Sequence, residues 1–580
     1  MAEFDLVVRG GMVVDGTGGD SFRADVAVRD GVIAEVGRVG GRGAREIGAD
    51  GALVAPGFVD VHTHYDGQAV WDSRMQPSSW HGVTTAVMGN CGVGFAPVAP
   101  EHRQMLIELM EGVEDIPGTA LHEGLRWEWE SFGEYLAALE RRQRDVDIAA
   151  QVPHAALRFA AMGERAAAFE AATDAEIEEM ARLAQDAVRA GALGFTTSRT
   201  INHKSKSGTL TPIYGVQRHE LTAIAAAVGE TNTGVLQLIT DFDDLDEDFA
   251  LMRQMVAVSG RALTVSLVQF GGRPRQYHEV LARIAQANAE GHPIKAQVAA
   301  RSMGIMLGLQ CTLHPFVTNP VWKSLSQLPV AGQAARMAAP ETRAAILAAQ
   351  TGEKLANVPG GLRTDRYEIM YEFSDVPDYE PRPGDSIAAR AGRAGRTPED
   401  LAYDILIRDD GRRLIFQPFT NYADGNLDAV HEMLAHEFTI PGLSDGGAHV
   451  ASICDGSFPT TLVQLWTRDR DRDRLSLPFV VRRQCRKTAL AVGLRDRGLL
   501  KPGYKADLNV IDLDNLRLHS PEISHDLPAG GRRFLQRAEG YRHTVVSGVE
   551  TYADGQSTGE LPGRLVRGAQ HAPGGTKGPG

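Results

Sequence analysis

From residue 57 onward, short apolar runs alternate with Ala-rich stretches of helical period. Eight of the runs read as strands, near 57–63, 83–90, 147–153, 192–198, 234–240, 263–269, 293–299 and 440–445, with amphipathic stretches such as 174–190 and 218–230 between them. Strands alternating with helices predict a parallel sheet with helical crossovers. Eight such units predict an α/β fold of the (β/α)8 TIM-like barrel type, whose chemistry lies at the C-terminal ends of its strands. The two ends of the chain read differently. "FDLVVR" (4–9), "ADVAVR" (24–29) and "VIAEVGR" (32–38) are short strands between Gly and Asp turns, and "KADLNVIDLDN" and "HTVVSGVETYADGQSTGE" near the other end share that character. They predict one small β-sandwich domain built from both termini, with the barrel inserted in it. The expected layout is 1–56 and 496–567 for the two parts of the β-domain, 57–495 for the barrel and 568–580 for a loose tail. Between the seventh and eighth strands, residues 300–439 far exceed an ordinary loop and predict an inserted subdomain or lid.

Composition narrows the class of partner. With 43% hydrophobic and 23% charged residues the chain reads as a soluble globular protein, and no apolar run reaches the ~18 residues of a spanning helix. Its start, "MAEFDLVVRGG", has an acid at position 3 and no basic region before an apolar stretch, so cytoplasm is expected rather than secretion. Sixty Lys and Arg against 74 Asp and Glu leave a net charge of -14, which argues against nucleic acid and for a small-molecule substrate. No membrane partner is expected, and self-association into a homo-oligomer stays open. Cys91, Cys311, Cys454 and Cys485 form no CxxC pair and suit a reducing compartment. The charge-dense stretches 241–248 ("DFDDLDED") and 468–474 ("RDRDRDR") read as solvated surface.

The chemistry begins at "GFVDVHTHYDGQ" (57–68). Histidines at i and i+2 on a strand point the same way, so His62 and His64 can face one metal ion. Two surface histidines would give the same spacing by chance. Here they follow an apolar strand, and a lone acid, Asp445, stands in "GLSDGGAHV" (442–450) at the end of the eighth. At these residues the chain resembles the amidohydrolase superfamily and, within it, the N-acyl-D-amino-acid deacylase (D-aminoacylase-like) branch. "PGFVDVHTH" is similar to the superfamily's first-strand motif and "GVTTAVMGNCGVGFAP" (82–97) to the branch's second-strand motif; "GALGFTTSR", "LSDGGAHV" and "STGELPGRLVRG" add to the likeness. The resemblance implies His62 and His64 as metal ligands, Cys91 as a further ligand and Asp445 as catalytic base and ligand. It also implies histidines at the ends of strands five and six. This chain reads "GVLQLITDF" and "VSLVQF" there, with Gln237 and Leu267 where those histidines would stand, so one zinc ion per chain is the expectation.

Further candidates sit near strand ends. His449 reads as ligand, supporting donor or oxyanion stabiliser, and as an ordinary loop histidine with equal ease; His154, in "VPHAALR", is similarly placed. Lys295 and Gln297 alternate onto one face of the seventh strand. A lysine within an apolar strand is costly unless paired, which favours a role in the site, as charge compensation or at a substrate carboxylate. Arg199 and Arg301 are candidates for bidentate carboxylate binding. The reading that follows is metal-assisted hydrolysis of an amide C–N bond, most directly in an N-acyl-D-amino acid. Two alternatives stand beside it: metal-dependent cleavage of another bond, in a cyclic amide or a C–C bond next to a carbonyl, and a binding protein that has lost turnover.

Overall fold

The computed structural model describes residues 2–350 and 363–574, so part of the expected insertion (351–362) and the end of the expected tail (575–580) lie outside the described residues. Eight parallel strands form where the apolar runs stand: β1 (Phe58–Asp60), β2 (Val83–Met88), β3 (Asp147–Ala150, continued by Val152–Pro153), β4 (Gly194–Arg199), β5 (Val235–Thr240), β6 (Leu263–Leu267), β7 (Ile294–Val298) and β8 (Thr439–Pro441). β1, β2 and β3 pair in that order. Val152–Pro153 then pairs with β4, and the order runs on through β5, β6 and β7 to β8. Just beyond β8, Asp445 N donates to His62 O at 3.1 Å and His64 N to Gly446 O at 2.8 Å, which brings the chain after β8 against the chain after β1. Every residue of β2 is buried, as expected of a parallel strand covered on both faces.

Helices follow the strands for legible reasons. The helix Asp174–Ala190 starts at a capping box, Thr173 with Glu176, and stops at Gly191, whose φ of +116° no side chain adopts easily. Arg218–Glu230 covers the next crossover. Among the described residues no helix is long and apolar enough to cross a membrane.

The two chain ends share one nine-stranded sheet. Leu53–Pro56 runs parallel to the end of Phe4–Val13 and antiparallel to Leu508–Ile511, so a strand from each terminus meets at the seam. Val8, Val26, Val54, Leu508, Val510 and Val545 are buried together there. The described part of the expected loose tail is held instead: Gly568 N donates to Gly191 O and Gln570 N to Gly493 O.

Residues after β7 build a subdomain with its own core. Met303–Leu307 and Tyr371–Phe373 pair antiparallel with Leu414–Thr420, and helices including Val330–Met337, Ile387–Arg393 and Pro398–Ile407 enclose Ile305, Phe316, Met337, Ile387, Tyr403 and Ile415. "RDRDRDR" is only partly solvated surface. Arg470 is buried and grips Glu380 at 3.1 Å and Asp428, tying the inserted subdomain to the segment that follows β8.

Candidate metal centre

His62 and His64 leave β1 side by side and are buried at 1% and 2% exposure. His62 Nδ1 lies 2.6 Å from Gln297 Oε1 on β7, an acceptor, so the Nδ1 proton is fixed and Nε2 keeps its lone pair. Nε2 stands 3.3 Å from Cys91 Sγ and 3.4 Å from Asp445 Oδ1, and His64 Nε2 is 3.8 Å from the same oxygen. Ligand atoms of His62, His64 and Cys91 lie within 4.8 Å of one another. Donors about 2.0–2.3 Å from a shared tetrahedral ion stand roughly 3.3–3.7 Å apart, close to these separations.

The backbone is shaped to bring them together. Cys91 has φ of +57°, Asp445 +48° and His449 +49°, so three of the side chains stand on left-handed backbone, which costs about 1–3 kcal/mol at each position and concentrates at functional sites. Gly447, at φ +92°, leaves room for the approach: a Cβ there would come within 2.9 Å of the His64 carbonyl oxygen. Gln237 on β5 accepts from Cys91 N at 3.2 Å, so the residue in place of the expected histidine holds the cysteine loop.

Four participants go beyond the sequence reading. Glu114 is the last residue of the helix Arg103–Glu114 and is 1% exposed; its Oε1 lies 3.2 Å from His64 Nδ1, its Oε2 3.7 Å from His449 Nε2, and its backbone carbonyl accepts from His449 N. An acid at a helix C-terminus opposes the macrodipole, and that is the sequence signal that marks "GVEDIPG". His203, from the loop after β4, lines the same cavity and bonds Ser198 Oγ at 2.9 Å. Asp241 and Asp243, read from the sequence as solvated surface, line it as well.

Electrostatics favours a bound cation. Burial pushes the Asp445 carboxyl up to about 7 and, with Asp445 and Asp66 nearby, drives Glu114 well above the carboxylate range. Burial likewise raises the Cys91 thiol and lowers His62 to about 4, leaving an unprotonated ring. Among the described residues no Lys or Arg pairs with Glu114, Cys91 or Asp445, and Glu114 Oε1, His64 Nδ1 and His449 Nδ1 are buried without hydrogen bonds. A donor set this rich and this short of positive charge fits a divalent ion.

Four expected substrate contacts lie elsewhere. His154 is fully buried with both ring nitrogens engaged, by Thr197 at 2.9 Å and by Glu220 at 2.8 Å. Arg301 is equally buried, paired with Asp455 at 2.8 Å and stacked on Tyr379, so its fork is used within the fold. Lys295 stands beside Thr264, two residues before Gln297 and short of the strand's C-terminal end; burial, then Lys487 and Arg483, lower its pKa. Arg199 ends β4 but faces Asp248 at 3.8 Å and the Val216 carbonyl. The sequence locates these residues along their strands but not the faces they occupy.

The cavity over the centre measures about 470 Å³. His62, His64, Cys91, Glu114, Asp445 and His449 form its polar end, and Met303 and Phe419 reach it from the inserted subdomain.

A model described as the amidohydrolase family matches residues 45–552. An N-acyl-D-glutamate deacylase of Alcaligenes xylosoxydans xylosoxydans is 38% identical and a D-aminoacylase of the same organism 26% identical, each alignment covering 97% of both chains. A solved D-aminoacylase, described as defining a novel subset of amidohydrolases, superposes with a TM-score of 0.64 at 23% identity, covering 97% of this chain and 100% of that one. The zinc- and phosphonate-bound N-acyl-D-glutamate deacylase from Bordetella bronchiseptica gives 0.63 at 23% identity, covering 97% and 99%.

Proposed function

Because the chain belongs to the amidohydrolase family, we propose that it is a metal-dependent hydrolase cleaving the amide bond of N-acyl-D-amino acids. The observation that carries this reading is the approach of Cys91 Sγ and Asp445 Oδ1 to within 3.4 Å of His62 Nε2 at strand ends, in the lining of one cavity. The deacylases among its relatives support the substrate class. We assign one divalent ion, zinc, to His62, His64, Cys91 and Asp445. When bound, such an ion acidifies water and polarises a carbonyl.

The chain's own residues then have distinct tasks. Gln297 fixes the His62 tautomer, and Glu114 sets its negative charge beside the His64 ring, Oε1 lying 3.2 Å from Nδ1. Asp445 presents Oδ1 to both histidines and leaves Oδ2 to take the proton of the attacking water. As water adds to the acyl carbon and the C–N bond breaks, that proton passes to the leaving nitrogen, so carboxylate and amine separate in balance. A buried carboxylate placed between the water and the leaving nitrogen can take the proton from one and give it to the other. His449, with an unpartnered Nδ1, serves as donor to the oxyanion.

In the same reading the eight strands close into one barrel through the contacts of Asp445 and Gly446 with His62 and His64, and the nine-stranded sheet forms the β-sandwich. Four free, buried cysteines are in keeping with the cytoplasm. Elemental analysis with an amine-release assay on N-acetyl D- and L-amino acids tests the proposal: close to one zinc per chain and D-selective release are expected. A metal-loaded enzyme that spares every N-acyl amino acid but opens a cyclic amide would move the reading to another bond.

A further inference from the structure

Beyond the metal-binding side chains, the lining of the cavity has a definite character. It includes Ile201, Ile239, Val268 and Phe270 near the ends of β4 to β6, and Met303 and Phe419 of the inserted subdomain. Among the described lining residues Arg273 is the sole Lys or Arg. Its Nη1 donates to the Phe242 carbonyl at 3.0 Å, and its Nη2 to the Asp241 carbonyl at 3.2 Å and to Asp243 Oδ1 at 2.5 Å. Asp241 brings a second negative charge, engaged only by neutral donors: Thr200 Oγ1 at 2.5 Å and Ile201 N at 2.8 Å. Two carboxylates against one guanidinium leave this rim net negative.

Resting on the deacylase reading, we infer that the enzyme selects N-acyl-D-amino acids with neutral, apolar side chains and rejects those with acidic ones, and that Arg273 and Asp243 set this choice. A guanidinium has five N–H donors, and the three bonds above leave enough to hold one further carboxylate. Every N-acyl amino acid carries one, its α-carboxylate. A second carboxylate on the side chain would find no second Lys or Arg among the described lining residues, only neutral donors such as Asn202, Ser266 and Thr420 beside the apolar walls and the negative rim, and a desolvated anion without a cationic partner is strongly disfavoured. Apolar side chains lose nothing there and bury against Met303 and Phe419.

The test compares kcat/KM of the zinc-loaded full chain on N-acetyl-D-leucine, -methionine and -phenylalanine with that on N-acetyl-D-aspartate and -glutamate. The apolar set is expected to lead by at least about a hundredfold. Asp243→Asn removes one rim charge and frees Arg273, and since Asp243 is 69% exposed the fold does not depend on it. This variant is expected to raise the ratio of acidic to apolar kcat/KM by about tenfold or more. Equal or better turnover of the acidic set by the unaltered enzyme overturns the inference while leaving the deacylase reading intact. A ratio unmoved by Asp243→Asn overturns the assignment to the Arg273–Asp243 pair. No turnover of any N-acyl-D-amino acid overturns the deacylase reading and this inference with it.

Discussion

The proposed mechanism gives Asp445 both proton transfer and metal binding, and one substitution separates the two roles. Asp445→Asn keeps the shape, and as the loss of a general base it should lower turnover by roughly 10²–10⁴-fold. If the base role dominates, zinc content stays near that of the parent and added zinc restores nothing; partial rescue by zinc would make Asp445 chiefly a ligand. Near-normal turnover would remove it from both roles. The arrangement would have Glu114 act at one remove, through its charge 3.2 Å from His64 Nδ1. Glu114→Gln should weaken zinc binding by about 10–100-fold, measured by competition with a chelator, and Glu114→Asp should recover part of it. Unchanged affinity would reduce Glu114 to packing. His62, His64 and Asp445 were legible because a strand end and two adjacent histidines define direction without the rest of the fold. Glu114 and His203 were not, since they arrive from loops whose course depends on tertiary packing. Arg301 and His154 misled for the opposite reason: position along a strand is written locally, whereas Asp455 and Glu220, the partners that occupy them, are remote in sequence.

Strands and helices were the most legible level, and the helices Asp174–Ala190 and Arg218–Glu230 match their expected bounds. The joint between the eight parallel strands and the terminal sheet was not, because it is made by single polar side chains. His81, just before β2, bonds Thr460 Oγ1 at 2.8 Å and Gln536 O at 3.0 Å, while Tyr541 OH donates to its carbonyl. Burial lowers its pKa from 6.5 to about 4. A depressed histidine favours the folded state above pH 6.5, and this contribution fades as pH falls toward 4 because the unfolded chain takes up the proton first. The full window amounts to about 3 kcal/mol. His81→Asn should therefore lose less urea resistance than the parent between pH 7 and pH 5. Equal losses would assign the acid sensitivity elsewhere.

At the scale of the whole molecule, the seam of Leu53–Pro56 with Leu508–Ile511 makes the terminal sheet depend on both ends of the chain. A chain cut after residue 505 lacks the partner strand and leaves an apolar edge open. Such a truncation should accumulate as insoluble protein although its metal ligands are all present, as a solubility assay on expressed chain would show. Soluble, zinc-binding truncate would instead show that the parallel-strand unit stands without the terminal sheet. The same seam sets a clock on synthesis. About 450 residues separate Leu53 from Leu508, and at a ribosomal pace of roughly 5–20 residues per second the early strand waits about 20–90 s before its partner emerges. For that interval the nascent chain carries an apolar β edge with no partner, so the amount of folded protein recovered from each message should depend on how well that edge is shielded while it waits.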